Sequence, residues 1–137
     1  MWDNQHHAAA QRYAERRQQE DAAPRLLAQV PALKSLVLDI QERSGGWPSP
    51  DPAGSHVRHI VVSTAPALFL IMCHDPACRD GGHDITSAVM RALRAGQTTF
   101  TGEDRCTGRL GSADCQRHIR FAATATYEGT PSGNHTP

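Results

Sequence analysis

Hydrophobic and polar residues alternate with a period of two in several short stretches of the chain. Large aliphatic side chains occupy every second position of Leu36–Ile40, which predicts a half-buried strand. The same alternation predicts a final strand over His118–Tyr127. Two further strands are predicted over Val57–Ser63 and Thr98–Gly102. The stretch Ala67–Cys73 is apolar on both faces, which is typical of a central strand.

A different period marks one helix over residues 84–95. Its apolar positions follow the spacing of a single buried helix face: Ile85, Ala88, Val89, Ala92 and Leu93. Asp84 is placed to cap the N-terminus, and Gly96 to follow the last turn. A shorter helix is predicted within residues 24–33, between Pro24 and Pro31.

The order of these elements is β-β-β-α-β-β. Strands in runs around one helix favour the α+β class. We therefore predict an antiparallel sheet of about five strands with one main helix on one face. Residues 44–55 contain three prolines and three glycines, so they are predicted as a loop, and residues 64–66 as a turn.

The two ends of the 137-residue chain are polar, and they predict three parts. Residues 1–22 lack an apolar stripe, so they are expected to form an arm that is flexible or becomes ordered on a partner. Residues 23–127 form the predicted domain. Residues 128–137 are all polar or turn-forming and are predicted to be a disordered tail.

Charge and export features limit the classes of function. Fourteen basic residues balance 14 acidic ones, so no general attraction to nucleic acid or to an anionic membrane is expected. Thirteen of the basic residues are arginine, which is typical of a bacterial, high-GC source. The sequence shows neither a signal-peptide pattern nor a membrane span, so we expect a cytoplasmic protein, where cysteines stay reduced.

Four cysteines carry the most specific chemical pattern in the chain. Cys73 and Cys78 form a C-x4-C pair, and Cys106 and Cys115 form a C-x8-C pair. Each pair lies at the end of a predicted strand and in the turn beyond it. Because four thiolates complete the tetrahedral coordination of zinc, we predict one structural Zn²⁺ at an edge of the sheet.

This arrangement resembles the architecture of zinc ribbons, in which two cysteine-bearing loops clamp one ion. Both spacings differ from the C-x2-C-like pairs of ribbons, and a helix separates the pairs here. Two alternatives remain open at this point. One is a pair of disulfides, Cys73–Cys78 and Cys106–Cys115; the other is a set of free thiols.

The segment His74–Asp84 contains further groups that could bind a metal. His83 is an alternative metal ligand in place of one cysteine. A small metal-dependent hydrolase using His74, His83 and Asp84 is therefore an alternative function. Turn and capping roles explain most of these residues better, although they do not account for His83, and the sequence contains no complete catalytic set.

The predicted function is a zinc-stabilised binding or adaptor module that is not catalytic and has a macromolecular partner. Charge neutrality favours a protein partner over nucleic acid, for which only weak binding is expected. Arg117 and Arg120 are the predicted partner-binding residues if arginines share one face. A redox switch, in which oxidised thiolates release zinc, is a further alternative.

Overall fold

A computed structural model describes residues 2–44, 51–75, 77, 78 and 81–129, without side-chain detail for residues 2–9 and 51–53. The helices are α1 Trp2–Ala22, α2 Leu26–Gln29 and α3 Thr86–Arg94. The strands are β1 Leu33–Arg43, β2 Asp51–Ile60, β3 Leu70–Ile71, β4 His83–Asp84, β5 Thr99–Arg105, β6 Arg109–Leu110, β7 Ala113–Asp114 and β8 His118–Tyr127.

The main sheet has four antiparallel strands in the order β2-β1-β8-β5. Strands β1 and β8 are its two central members, and they are the strands whose alternation is clearest in the sequence. Leu36, Leu38 and Ile40 of β1 face the core together with Ile119 and Phe121 of β8. The predicted α+β class with an antiparallel sheet is therefore confirmed.

Helix α3 covers the buried face of this sheet. Val89 and Leu93 are fully buried in the same core as β1 and β8. The helix starts two residues later than predicted, because Asp84 lies in β4 and its carboxylate accepts a hydrogen bond from the Thr86 N–H at 3.0 Å. Gly96 ends the helix as predicted: it has φ +72°, and its N–H bonds the Leu93 carbonyl oxygen at 3.0 Å.

The prediction of Ala67–Cys73 as a central strand is wrong. Only Leu70–Ile71 is a strand, and it pairs with β4 in a separate two-stranded sheet, so the main sheet has four strands. The segment is apolar because it crosses the core beside α2 and α3. The Ala67 N–H bonds the Pro24 carbonyl oxygen at 2.8 Å, and the Phe69 N–H bonds the Thr86 hydroxyl at 2.8 Å.

The boundaries around β2 also differ from the prediction. Residues 45–50 of the predicted loop lie outside the described residues, and residues 51–55 belong to β2. Proline and glycine are compatible with β2 because it is an edge strand, and the β1 register shifts between Ile40 and Glu42 opposite its start. Residues 61–63, predicted as strand, leave the sheet, and the turn lies at 62–64.

The predicted N-terminal arm is helical in the structure. Helix α1 has no apolar stripe, and its Tyr13 is 51% exposed. Residues 130–137 of the predicted tail lie outside the described residues. No helix in the part of the chain that the structure describes is long and apolar enough to cross a membrane.

Candidate metal centre

Two loops bring the cysteines together. The first cysteine loop, residues 72–82, joins β3 to β4. The pairing of Ile71 in β3 with His83 in β4 holds the two ends of this loop close together. The second cysteine loop, residues 106–117, joins β5 to β8. Its ends are held by the Arg105–His118 strand pair. Each loop carries two cysteines, as the sequence predicted.

The four sulfur atoms form a compact group, called here the four-sulfur site. The ligand atoms of Cys73, Cys78, Cys106 and Cys115 all lie within 4.8 Å of one another. Four sulfurs at about 2.3 Å from one ion, in tetrahedral geometry, are separated by roughly 3.8 Å. The Cys78–Cys106 distance of 3.5 Å and the Cys73–Cys115 distance of 3.9 Å fit that spacing. A disulfide would need about 2.05 Å, and the four cysteines are free.

Two close sulfur pairs join the two loops. Cys78 and Cys106 meet across the site, and so do Cys73 and Cys115. The two disulfides considered from the sequence would instead close each loop on itself. An ion at the centre would therefore cross-link two distant parts of the chain, which is the arrangement that stabilises a small domain most.

Backbone hydrogen bonds fix the second cysteine loop. The Cys106 N–H bonds the Arg117 carbonyl oxygen at 2.9 Å, and the Cys115 N–H bonds the Gly108 carbonyl oxygen at 2.9 Å. Between them, β6 and β7 form a small hairpin that turns the chain back. The Gly108 N–H points at the Cys106 sulfur at 3.4 Å, as expected for a donor that stabilises a thiolate.

Gly81 allows the two loops to approach. A β-carbon at this position would lie 2.2 Å from the Cys78 sulfur and 2.6 Å from the Cys106 sulfur. No side chain fits in that space. The sequence alone indicates only a flexible turn residue at Gly81, because its close contact with Cys106 joins positions that are 25 residues apart.

The pKa values of the cysteine thiols are shifted in different directions within the site. Burial raises the pKa of the Cys73 thiol, and burial with hydrogen bonding to Cys106 raises that of Cys78 to about 12. Burial acts in the same direction on Cys106, but the N–H groups of Gly108 and Gly82, with the Cys78 thiol, hold its pKa below the ordinary value. A divalent cation would displace the remaining protons, because metal ligands bind as thiolates.

His83, the alternative ligand, lies outside the group of four sulfurs. It is 2% exposed, and its Nδ1 lies 3.2 Å from the Asp104 carboxylate, which extends from the core-facing side of β5. Burial lowers the pKa of His83, and the hydrogen bond to Asp104 only partly opposes that shift. In the described part of the chain, its buried Nε2 has no hydrogen-bond partner.

A buried ion pair is hydrogen-bonded to the first cysteine loop. Glu42 is 1% exposed, and its Oε1 lies 2.9 Å from the Nη2 of Arg117. The Oε2 of Glu42 accepts a hydrogen bond from the His74 N–H at 3.1 Å. The sequence analysis missed this residue. The sequence does indicate a buried position for Glu42, because it continues the core-facing alternation of Leu38 and Ile40. A charge at such a position requires a partner.

The other predicted site residues occupy separate places. Asp84 is exposed, whereas its neighbour His83 is buried, so the two point to opposite faces of β4. Residues 76, 79 and 80 of the His74–Asp84 segment lie outside the described residues. Arg117 is held in the pair with Glu42, while Arg120 is exposed on β8 and lies 3.6 Å from Glu103. The fold therefore does not place Arg117 and Arg120 in one exposed pair.

Comparison with known proteins adds no family to this description. No protein-family model matches the chain, and neither a curated protein nor a solved structure is significantly similar to it. The chemistry of the site therefore has to be inferred from its own geometry, whose defining feature is four cysteine sulfurs from two loops in one group.

Proposed function

We propose that the chain is a small zinc-stabilised binding module, in which the four cysteines hold one structural Zn²⁺. The observation that carries this proposal is the spacing of the sulfurs. All four lie within 4.8 Å of one another, and the Cys78–Cys106 and Cys73–Cys115 separations of 3.5 and 3.9 Å bracket the separation expected around a tetrahedral ion. Thiolate sulfur in a tetrahedral set is a donor group typical of zinc.

The same geometry favours a structural role over a catalytic one. Four protein sulfurs complete the coordination of zinc and leave no position for a water molecule or substrate. Cys78 and Cys106 are each 7% exposed and Cys115 is 1% exposed, whereas Cys73 is half-buried, so three of the four ligands are shielded from solvent. The opposite orientations of His83 and Asp84 give the alternative hydrolase no shared site for a ligand and a base.

Charge distribution supports a protein as the partner. The exposed face of the main sheet carries paired charges of both signs, such as Arg120 with Glu103. Apolar side chains are exposed at and beyond β2, where Val57 is 52% and Val61 is 64% exposed. A neutral surface with such residues is better suited to a protein than to a polyanion.

Metal content tests the structural proposal. Protein purified with its thiols kept reduced is expected to carry about one zinc per chain by elemental analysis. Loss of the ion to a chelator should unfold the two cysteine loops. Reduced, folded protein that neither carries zinc nor binds it on titration would overturn the proposal.

The distances between cysteine sulfurs also favour a second candidate, a redox switch. Hydrogen peroxide could oxidise two neighbouring thiols to a disulfide, with the peroxide reduced to two waters and the zinc released. The short distances predict bridges between the loops, Cys78–Cys106 and Cys73–Cys115. Peptide mapping by mass spectrometry after peroxide treatment tests this; bridges within each loop, or zinc retained at full occupancy, would count against it.

A further inference from the structure

Helix α1 is placed against the domain without an apolar contact surface. None of its described side chains belongs to the buried hydrophobic core. Its Tyr13 is half exposed and stacks with the guanidinium groups of Arg16 and Arg17 on the same helix. Since most helices are held in place by an apolar face, α1 requires another source of attraction.

A cavity of about 340 Å³ separates α1 from the first cysteine loop. Arg12, Arg16 and Gln19 line it from the helix. Cys73, Asp75 and Cys78 line it from the loop, so the cavity is bordered by two of the four cysteines and by one carboxylate residue. The face of α1 toward the domain therefore presents two arginines to the proposed metal centre.

Positive charge is concentrated beside this cavity. Arg58 of β2 donates a hydrogen bond to the Leu70 carbonyl oxygen at 3.1 Å, and Leu70 itself lines the cavity. Burial, and then the nearby positive charge of Arg16, lowers the pKa of Arg58. Glu20 acts on this pKa in the opposite direction. Arg16 also has a buried Nε without a hydrogen-bond partner among the described residues.

The four-sulfur site would add negative charge to that of Asp75 once metal is bound. One Zn²⁺ with four thiolates has a net charge of about −2. In a partly buried place such charges are screened less than on the surface. A metal-loaded site therefore attracts the arginines of α1.

We infer that Arg12 and Arg16 are the counter-charges of the metal–thiolate centre, so that binding of zinc holds α1 against the domain. The inference depends on the proposed zinc site. Gln19 and Asp75 contribute further polar groups to the lining of the same cavity.

Amide hydrogen exchange on the full chain tests this inference. Arg16→Glu is compared with Arg17→Glu, a control with the same change of charge on the same helix, because Arg17 contacts Tyr13 and does not line the cavity. With zinc bound, amides of residues 10–22 should exchange about tenfold faster in Arg16→Glu than in the control. Arg16→Lys should restore most of the protection, since it keeps the charge.

Two further readouts separate the possible results. Transfer of zinc to a chelator should be about tenfold faster from Arg16→Glu, as is typical when a group supporting a metal ligand is changed. Exchange of residues 10–22 that is equal in the two variants, with one zinc in each, would overturn this inference and leave the zinc proposal intact. A wild-type protein that binds no zinc would overturn both.

Discussion

Gly81→Ala is the substitution whose effect can be worked out most directly from the geometry. The added methyl group would lie 2.2 Å from the Cys78 sulfur and 2.6 Å from the Cys106 sulfur. Non-bonded atoms of this kind normally stay about 3.5–4.0 Å apart. Both sulfurs would therefore have to move away from the methyl group by roughly 1 Å. That movement would disrupt the contact between the two cysteine loops.

A displacement of that size is large for a metal site. Ligand distances are normally held within about 0.2 Å of their standard values, so the variant cannot keep both sulfurs on one ion without moving the loops. We expect zinc affinity to fall by about 100-fold or more, the upper end of the range for changes around metal ligands. Competition with a chromophoric chelator measures this change.

Gly111→Ala is the matched control in the second cysteine loop. Nothing lies within 4 Å of a β-carbon at Gly111, but its φ of +65° makes alanine strained. It should cost about 1 kcal/mol of stability and leave zinc affinity near the wild-type value. Wild-type zinc affinity in Gly81→Ala would refute the reasoning, because it would mean that the two sulfurs are not held where the structure has them.

Three other experiments test the site, its support and its partner. Cys106→Ser is expected to lose zinc and to expose the second cysteine loop to amide exchange, because structural zinc contributes on the order of 10 kcal/mol to folding in small peptides. Glu42→Gln should lower the free energy of unfolding by about 3 kcal/mol, measured by denaturant titration, since Arg117 would lose a buried charge partner. Glu103→Gln is its control, and it should cost less than about 1 kcal/mol, because its pair with Arg120 is exposed. Generic duplex DNA should bind with a Kd weaker than about 10 µM at near-physiological salt, measured by titration of labelled duplex.

Each of these has a result that would count against it. Cys106→Ser with full zinc and unchanged exchange would show that this sulfur is not a ligand. Equal losses of stability in Glu42→Gln and Glu103→Gln would contradict the distinction between buried and exposed pairs. Tight DNA binding that Arg120→Glu abolishes would make nucleic acid the partner, through a basic surface assembled by the fold.

The sequence predicts the parts of this fold that have a clear period. Strand β8 was predicted with its observed bounds, since alternation persists over its whole length, and the last turn of α3 was located by Gly96. The segment Ala67–Cys73 was misassigned, because a chain crossing the core and a central strand both require apolar residues on every side. Only the tertiary hydrogen bonds of this segment distinguish the two cases.

Some features of the candidate site could likewise be predicted from the sequence, and others could not. Its four cysteines and the two loops that carry them could be predicted, because the pairs fall at strand ends. The pairing across the loops, Cys78 with Cys106, depends on the relative placement of distant segments, which local sequence does not specify. Gly81 and Glu42 acquire their roles from the same long-range contacts.

X-ray absorption at the zinc edge tests the central claim most directly, because it counts and identifies the atoms bound to the ion. The structure predicts about four sulfur neighbours at about 2.3 Å and no nitrogen or oxygen in the first coordination shell. A nitrogen at about 2.0–2.1 Å in place of one sulfur, such as one from the buried His83, would contradict the four-thiolate site.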